Sequence, residues 1–452
     1  MRIIIVGCGK VGRTLALQLQ DEEDVDLTLI DISAERLSKL PDELDAMTVQ
    51  GNGASLGVLM EAGIEGCDLL IAVTNSDELN LLCCLVAQRT GHCSTVARVR
   101  NPIYSKEFDF IKERLGINMI INPEYAAASE ITNLHRLPSA IKVDTFSRGR
   151  MELIKVRVLP EFGIDGMTVL DVVKKFRLDV LICGIESKDD IVIPGGSDVV
   201  HNGDLIYFLS KRENSNALFQ RLGIRSTQVK TSLIVGGGTT AYYLAQNLLN
   251  MNITVKIIEK SKERCEQLSE LLPQATIING DGTDRNLLLE EGLPNVGSLV
   301  CLTNLDEENI FLALYGKKKC PGKMVAKINR LEFDDVLEDL DIGSLIYPKY
   351  LTADYIVSYV RALRNASGSN VDTLYHIMEG HAEALEFVIR NNSPVLDIPL
   401  SELQLKSNTL VGCITRGSKV HIPRGQDTIQ IGDTVIIVTA HKGLNDIRDI
   451  LA

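Results

Sequence analysis

No apolar run in this sequence reaches the roughly 18 residues needed to cross a bilayer, so no segment is expected to span a membrane. A basic leader is missing as well. The chain runs from Met1 straight into Ile3-Ile4-Ile5-Val6, and it is expected to be a cytoplasmic protein that reaches a membrane only through a partner. Positive charge is in deficit. Lys and Arg number 47 against 60 Asp and Glu, and the net charge of −13 argues against a general affinity for nucleic acid or anionic lipid. The ten cysteines include no C-x-x-C pair. Cys8, Cys183, Cys301 and Cys413 lie in apolar, strand-like runs, so reduced core thiols are expected. The seven histidines are scattered, and the closest pair, His376 and His381, has a spacing that does not share a helix face, so no metal site is expected. No G-x-x-x-x-G-K-[ST] occurs, which removes support for a P-loop NTPase.

What is present begins at once. Met1 to Asp31 reads as strand, glycine turn, helix, strand and terminal acid. Gly7, Gly9 and Gly12 form G-x-G-x-x-G at the end of the first β-branched run. Gly7 allows the tight turn, Gly9 lets a pyrophosphate approach the backbone, and Gly12 lets the helix sit against the strand. The helix N-terminus then offers its free N–H groups to the anion. Asp31 ends the second strand 19 positions after Gly12, where a carboxylate can take both ribose hydroxyls of an adenosine and would repel a 2′-phosphate. NAD(H) is therefore expected over NADP(H).

Strands and helices alternate from there, which predicts a parallel sheet with right-handed crossovers. The spacing predicts strands at Ala46 to Gln50, Asp68 to Val73, Thr95 to Val99 and Met119 to Ile121. Helices are expected over Ser33 to Leu40, Ser105 to Leu115 and Glu124 to Leu134. The fourth strand ends in Thr74-Asn75, which can face the ribose or pyrophosphate, and Arg98 at the end of its neighbour can reach the phosphates. Asp77, Glu78 and Asn80 sit at a helix start and are read as capping and helix-dipole residues, as are Asp306, Glu307 and Asn309 later in the chain.

The whole pattern then returns. Gly236-Gly237-Gly238-Thr239-Thr240-Ala241 begins 229 residues after Gly7, and Thr303-Asn304 and Lys327 answer Thr74-Asn75 and Arg98 at the same offset. Glu259 answers Asp31 at 228. Between the copies lies a smaller, β-rich module with strands at Glu152 to Leu159, Val180 to Glu186, Ile191 to Pro194 and Leu205 to Ser210 and a helix at Val169 to Phe176. It is duplicated too, because Ile193-Pro194 and Gly203-Asp204 match Ile422-Pro423 and Gly432-Asp433. Size alone predicts about three domains for 452 residues, and the repeat makes four, at 1–137, 145–226, 230–364 and 372–452. Linkers are expected at Arg136 to Thr145, Asn214 to Lys230 and Asn365 to Asp372.

No catalytic residues are expected. Hydride transfer needs an acid or base beside the acceptor, and the one Tyr–Lys pair at helical spacing, Tyr315 and Lys319, has Val86 and Thr90 as counterparts in the first copy.

These residues resemble the TrkA family, the peripheral regulatory subunits of Trk-type potassium uptake systems, built from RCK domains (KTN plus TrkA-C). The resemblance rests on V-G-C-G-K-V-G, Asp31, T-N-S-D-E-L-N and A-R-V-R-N within the duplicated layout, and it spans the chain. It implies an α/β fold: a duplicated Rossmann-like parallel-sheet domain, each copy followed by a small α+β RCK C-terminal (TrkA-C) domain. It further implies a homo-oligomeric gating ring on the cytoplasmic face of a potassium-conducting membrane subunit, regulated by NAD(H), with ATP or ADP as further ligands. The first site then falls on Gly7, Cys8, Gly9, Lys10, Val11 and Gly12 with Asp31, Thr74, Asn75 and Arg98. The second falls on Gly236, Gly237, Gly238, Thr239 and Thr240 with Glu259, Thr303, Asn304 and Lys327. Departures are Ala54 and Ser55, where threonine and aspartate are common in the family's G-D-A-T, and Ala241 in place of the last glycine. Two other readings remain: an NAD-dependent oxidoreductase of unknown substrate, and a nucleotide sensor for a different transporter.

Overall fold

The computed structural model describes residues 1–20, 22, 25–40, 44–105, 107–146, 149–176, 179–187, 191–223, 229–329, 340, 342–365, 371–378, 381–390, 393–444 and 446–452. They cluster into two compact units, one made of Met1–Ile131 and Lys230–Val357, the other of Thr132–Val229 and Ser358–Ala452.

The first unit holds both parallel sheets. In the first copy β1 (Arg2–Val6), β2 (Asp26–Asp31), β3 (Ala46–Gln50), β4 (Leu69–Ala72), β5 (Ser94–Arg98) and β6 (Met119–Ile121) pair in the order 3-2-1-4-5-6. Every pairing is parallel. The strands are short and apolar because helices cover both faces: β1 and β4 are buried almost throughout, and Ile4, Val6, Leu70 and Ala72 pack with Cys83, Cys84 and Ala87 of the helix Asp77–Gly91. This strand order reverses direction between β1 and β4, and ligands bind at that crevice in doubly wound sheets.

The smaller module follows in the second unit. Its strands are β7 (Lys142–Phe146), β8 (Met151–Arg157), β9 (Met167–Thr168), β10 (Val180–Glu186), β11 (Ile191–Val192), β12 (Val199–Val200) and β13 (Leu205–Lys211). Five form an antiparallel sheet in the order β11-β10-β13-β8-β7, and β9 pairs with β12. The second parallel sheet repeats the first with β14 (Thr231–Val235), β15 (Thr254–Glu259), β16 (Thr276–Asn279), β17 (Ser298–Cys301), β18 (Lys323–Lys327) and β19 (Ser344–Ile346), ordered 16-15-14-17-18-19. The second small module repeats the antiparallel sheet with β20 (Val371–Ile377), β21 (Ala382–Val388), β22 (Thr409–Arg416), β23 (Lys419–His421) and β24 (Thr434–Thr439), ordered β20-β21-β24-β22-β23. Within the second unit the two small modules share one core, where Phe146, Leu153 and Tyr207 pack with Met378, Ala384 and Ile436.

Three expectations differ from the structure. The stretch read as the linker Arg136 to Thr145 contains β7, which pairs antiparallel with β8 and buries Val143 and Phe146; its polar, mixed pattern hides a strand with only part of one face covered. The linker read at Asn214 to Lys230 begins with the helix Ser215–Arg221, held down by buried Leu218, Phe219 and Leu222. The single helix expected over Ser105 to Leu115 is two, Pro102–Ser105 and Phe108–Leu115. The third expected linker lies mostly outside the described residues. Among the described residues no helix is long and apolar enough to cross a membrane. All ten cysteines are buried and free. Burial pushes the Cys183 thiol up to about 12, so it is inert at neutral pH.

Candidate functional site

The two glycine turns are built alike. Gly7 and Gly236 have φ of 104° and 99°, which side chains rarely adopt, and the backbone N–H of each donates to the end of the adjacent strand, at Ile30 (2.7 Å) and Ile258 (2.9 Å). A side chain at Gly12 would place its Cβ 1.9 Å from the Gly7 carbonyl, so this helix can approach its strand only as glycine. Beyond Gly9 and Gly238 there is open space, with nothing within 4 Å of where a Cβ would stand. Such a gap in front of a helix N-terminus fits the backbone of a pyrophosphate.

The acids close the turns from the other side. The Asp31 carboxylate accepts from the N–H of Cys8 (2.8 Å) and of Ser33 (2.8 Å), with the Arg36 guanidinium 3.6 Å away. Glu259 accepts from Gly237 (2.7 Å) and Ser261 (2.7 Å). Each carboxylate oxygen keeps a second lone pair, so the acids fix the turns and still have acceptor capacity toward a ribose. Cys8, beside Asp31, is pushed up to about 12 by burial and then by that carboxylate. It therefore stays a neutral thiol, a packing residue rather than a nucleophile.

The residues expected as caps at Asp77 and Asn80 do something else. Ser76 caps the helix, its Oγ accepting from Leu79 N–H at 3.1 Å. The buried Asp77 instead accepts from the N–H groups of Arg100 and Asn101, both at 2.8 Å, and Asp306 accepts likewise from Asn329. Asn80, fully buried, accepts from the Thr74 N–H (2.8 Å) and hydroxyl (2.7 Å) and donates to the carbonyls of Thr74 (3.2 Å) and Arg98 (2.8 Å). Asn309 makes the same four bonds to Thr303 and Lys327. Each asparagine ties together the two strand ends that carry the proposed phosphate-side residues. Asn80→Ala is expected to cost about 2 kcal/mol, because it leaves buried backbone groups unpaired; urea unfolding checks it, with Asn80→Asp, which keeps the acceptor but sets a buried carboxylate oxygen against the Thr74 and Arg98 carbonyls, losing no less.

Both sites open into one cavity of about 1210 Å³ within the first unit. Of the first set it is lined by Cys8, Gly9, Lys10, Val11, Asn75 and Arg98; of the second by Gly236, Gly237, Gly238, Thr239, Thr240, Glu259, Thr303, Asn304 and Lys327. Gly7, Gly12, Asp31 and Thr74 are not among the lining residues, although their chain neighbours Cys8, Val11, Val73 and Asn75 are. Arg98 lies 3.5 Å from the Glu124 carboxylate, and its guanidinium is held below its usual value mainly by burial, against the pull of Glu124. Lys327, also buried, donates to the Leu302 carbonyl at 3.2 Å, and burial lowers its amine in the same way. Nine Lys and Arg side chains line the cavity against four carboxylates, a cationic cleft in an acidic protein that concentrates anions. Tyr315 is not in this wall; it packs against the core of the second sheet.

Lys260, which follows Glu259 in the sequence, lines the wall and pairs with Asp281 at 2.8 Å. Two pairs of wall residues went unread in the sequence. Arg36 and Arg264 carry a usable signal, since they repeat at the same 228-residue offset as the two acids. Glu124 and Lys349, at the starts of the helices Pro123–Arg136 and Pro348–Asn365, carry none, because only the meeting of the two sheets brings them into the cavity. That meeting is made by Tyr243, whose hydroxyl accepts from Asn122 (3.0 Å) and donates to the Arg100 carbonyl (3.2 Å), with Tyr125 edge-on at 5.5 Å.

The sequence matches the family model of the TrkA-N domain twice, at residues 3–123 and 232–348, and that of the TrkA-C domain twice, at 153–223 and 384–452. It is 34% identical to the Trk system potassium uptake protein TrkA of Haemophilus influenzae, covering 98% of this chain and 96% of that protein. It is equally identical to the TrkA homolog of Archaeoglobus fulgidus, over the full length of both. Among solved structures, the GsuK RCK domain aligns over 97% of this chain and 92% of its own length, with a TM-score of 0.63 and 17% identity. The GsuK channel bound to NAD aligns over 97% and 76%, with a TM-score of 0.64 and 17% identity.

Proposed function

The chain belongs to the TrkA family, and from that premise we propose that it is a nucleotide-sensing regulatory subunit of a potassium uptake system, cytoplasmic and peripheral to a potassium-conducting membrane partner. The observation that carries the reading is the cationic cavity with two glycine turns, each backed by an acid. NAD(H) is the ligand proposed for both turns, with ATP or ADP as competitors. The names of the relatives and the NAD and ADP in GsuK structures support this reading.

In this role the chain's own residues bind and discriminate. The N–H groups at Gly9 to Val11 and at Gly238 to Thr240 receive phosphates, Asp31 and Glu259 receive ribose hydroxyls, Thr74, Asn75, Thr303 and Asn304 border the nucleotide, and Arg98 and Lys327 neutralise it. Gating then follows from linkage. A nucleotide that binds two conformations of a homo-oligomeric ring with a hundredfold difference in affinity shifts their balance by about 2.7 kcal/mol, enough to bias a gate without any reaction.

The test is isothermal titration with NAD⁺, NADH, ATP and ADP. Asp31→Ala and Glu259→Ala are each expected to weaken one class of sites at least tenfold and leave the other, with no substrate-dependent change in NADH absorbance. Binding that survives unchanged in Asp31→Ala overturns the assignment of the first site. Turnover of NADH overturns the regulatory reading in favour of an oxidoreductase.

A further inference from the structure

The cavity holds one carboxylate that belongs to neither glycine turn, pairs with the cation of the first and acts through space on that of the second. Glu124 begins the helix Pro123–Arg136 of the first copy, where the helix dipole favours an anion. Its Oε1 lies 3.5 Å from the Arg98 guanidinium. Its Oε2 is buried and accepts no hydrogen bond from the described residues, and neither does the buried Arg98 Nε donate one. Lys327 of the second copy feels the same carboxylate: after the lowering by burial, Glu124 is the foremost charge acting on its amine, ahead of Asp306, while Lys10 opposes both. The helix that enters the cavity from the second copy begins instead with Pro348-Lys349, and the Lys349 amine lies over the Tyr350 ring at 4.7 Å. So one carboxylate, paired at 3.5 Å with Arg98 and with one oxygen unbonded among the described residues, shares the cavity with Lys327 of the other copy and acts on its charge.

We propose that Glu124 couples the two nucleotide sites, acting as a shared internal counter-ion of Arg98 and Lys327 that a phosphate entering either site must displace. The proposal rests on the reading of the cavity as two nucleotide sites. Consider two positions of the side chain, in among the cations or turned away from them. A phosphate competes with the inward carboxylate for the same donors and is repelled by it, so each nucleotide binds only the outward form. The first nucleotide therefore binds with an affinity reduced by the outward fraction, and the second, finding the carboxylate already displaced, binds without that reduction. Positive coupling follows, reciprocal between the sites. The same factor appears in both places: the coupling between sites equals the handicap on the first binding event.

This equality makes the test specific. NADH is titrated into the full-length protein, into Asp31→Ala and into Glu259→Ala, each with and without Glu124→Gln; ADP is titrated in parallel, alone and at saturating NADH. In the parent protein the two-site isotherm is expected to be five- to tenfold steeper in its second step than the single-site variants predict. Glu124→Gln is expected to raise each single-site affinity by that same five- to tenfold and to make the two sites independent. Glu124→Ala, which leaves no amide to bond Arg98, is expected to act in the same direction, and this separates loss of the charge from a new contact. Unchanged or weaker binding in both Glu124 variants, or coupling that persists in them, overturns the proposal while leaving the two sites in place. Failure of the parent protein to bind either nucleotide overturns the cavity reading and the coupling with it.

Discussion

Gly12→Val is expected to abolish nucleotide binding at the first site, by a hundredfold or more, while the second site keeps its single-site affinity. The reason is geometric. A Cβ at this position would sit 1.9 Å from the Gly7 carbonyl oxygen and 3.4 Å from Val73, so the helix Lys10–Gln20 must move off its strand. That movement carries away the N–H groups proposed to hold the phosphates. Backbone is the obstacle, which neighbouring rotamers cannot relieve, and a destabilisation of about 3 kcal/mol is expected alongside. The second copy supplies the control. It carries a fully buried Ala241 at the same place in its repeat, so that turn already accommodates a methyl group, and Ala241→Gly is expected to cost only the roughly 1 kcal/mol of a glycine inside a helix. Titration with NADH and urea unfolding of both variants check the pair of predictions. Equal losses of binding in Gly12→Val and Ala241→Gly would show that the close approach at Gly12 is not what the first site depends on.

Arg136→Ala is expected to destabilise the second unit by about 3 kcal/mol. Glu152 on β8 is fully buried and pairs with Arg136 at the end of the helix Pro123–Arg136; Ser215 donates to its other oxygen at 2.7 Å. Removing the arginine strands a buried carboxylate, which costs several kcal/mol where nothing replaces the partner. Arg212, half exposed and 3.7 Å away, covers part of the loss, which sets the expectation at the low end. The double change Arg136→Ala with Glu152→Gln is expected to recover most of it, since no charge is then left unpaired. Urea unfolding followed by far-ultraviolet circular dichroism measures both. A single variant within 0.5 kcal/mol of the parent would mean that the pair is balanced by its desolvation and contributes nothing net. The second copy repeats the arrangement, with Arg361 at 3.3 Å from the buried Glu383.

The parallel sheets were legible because the information is local. Runs such as Ile3-Ile4-Ile5-Val6 and Leu69 to Ala72 can only be buried strands, glycines at fixed spacing mark the turns between strand and helix, and the 229-residue offset reports the duplication without any geometry. Where the sequence misled, local pattern was weak or ambiguous. Half-covered β7 reads as linker, and Asp77 and Asn80 read as caps because a helix start is where such residues usually cap. Their partners at Arg98, Arg100 and Asn101 are some 20 residues away, and nothing in the spacing names them.

The sequence by itself therefore determined the fold class, the fourfold layout and both glycine turns with their acids, because each of these is set within one strand–turn–helix unit or by self-similarity. Only the tertiary structure decided that the two turns open into a single cationic cavity, that Glu124 pairs with Arg98 in the cavity that Lys327 of the other copy also lines, and that buried carboxylates fasten the ends of the helices after each parallel sheet. These depend on how sheets and helices far apart in the chain meet, and burial and charge pairing act there through distances in space that residue order does not encode.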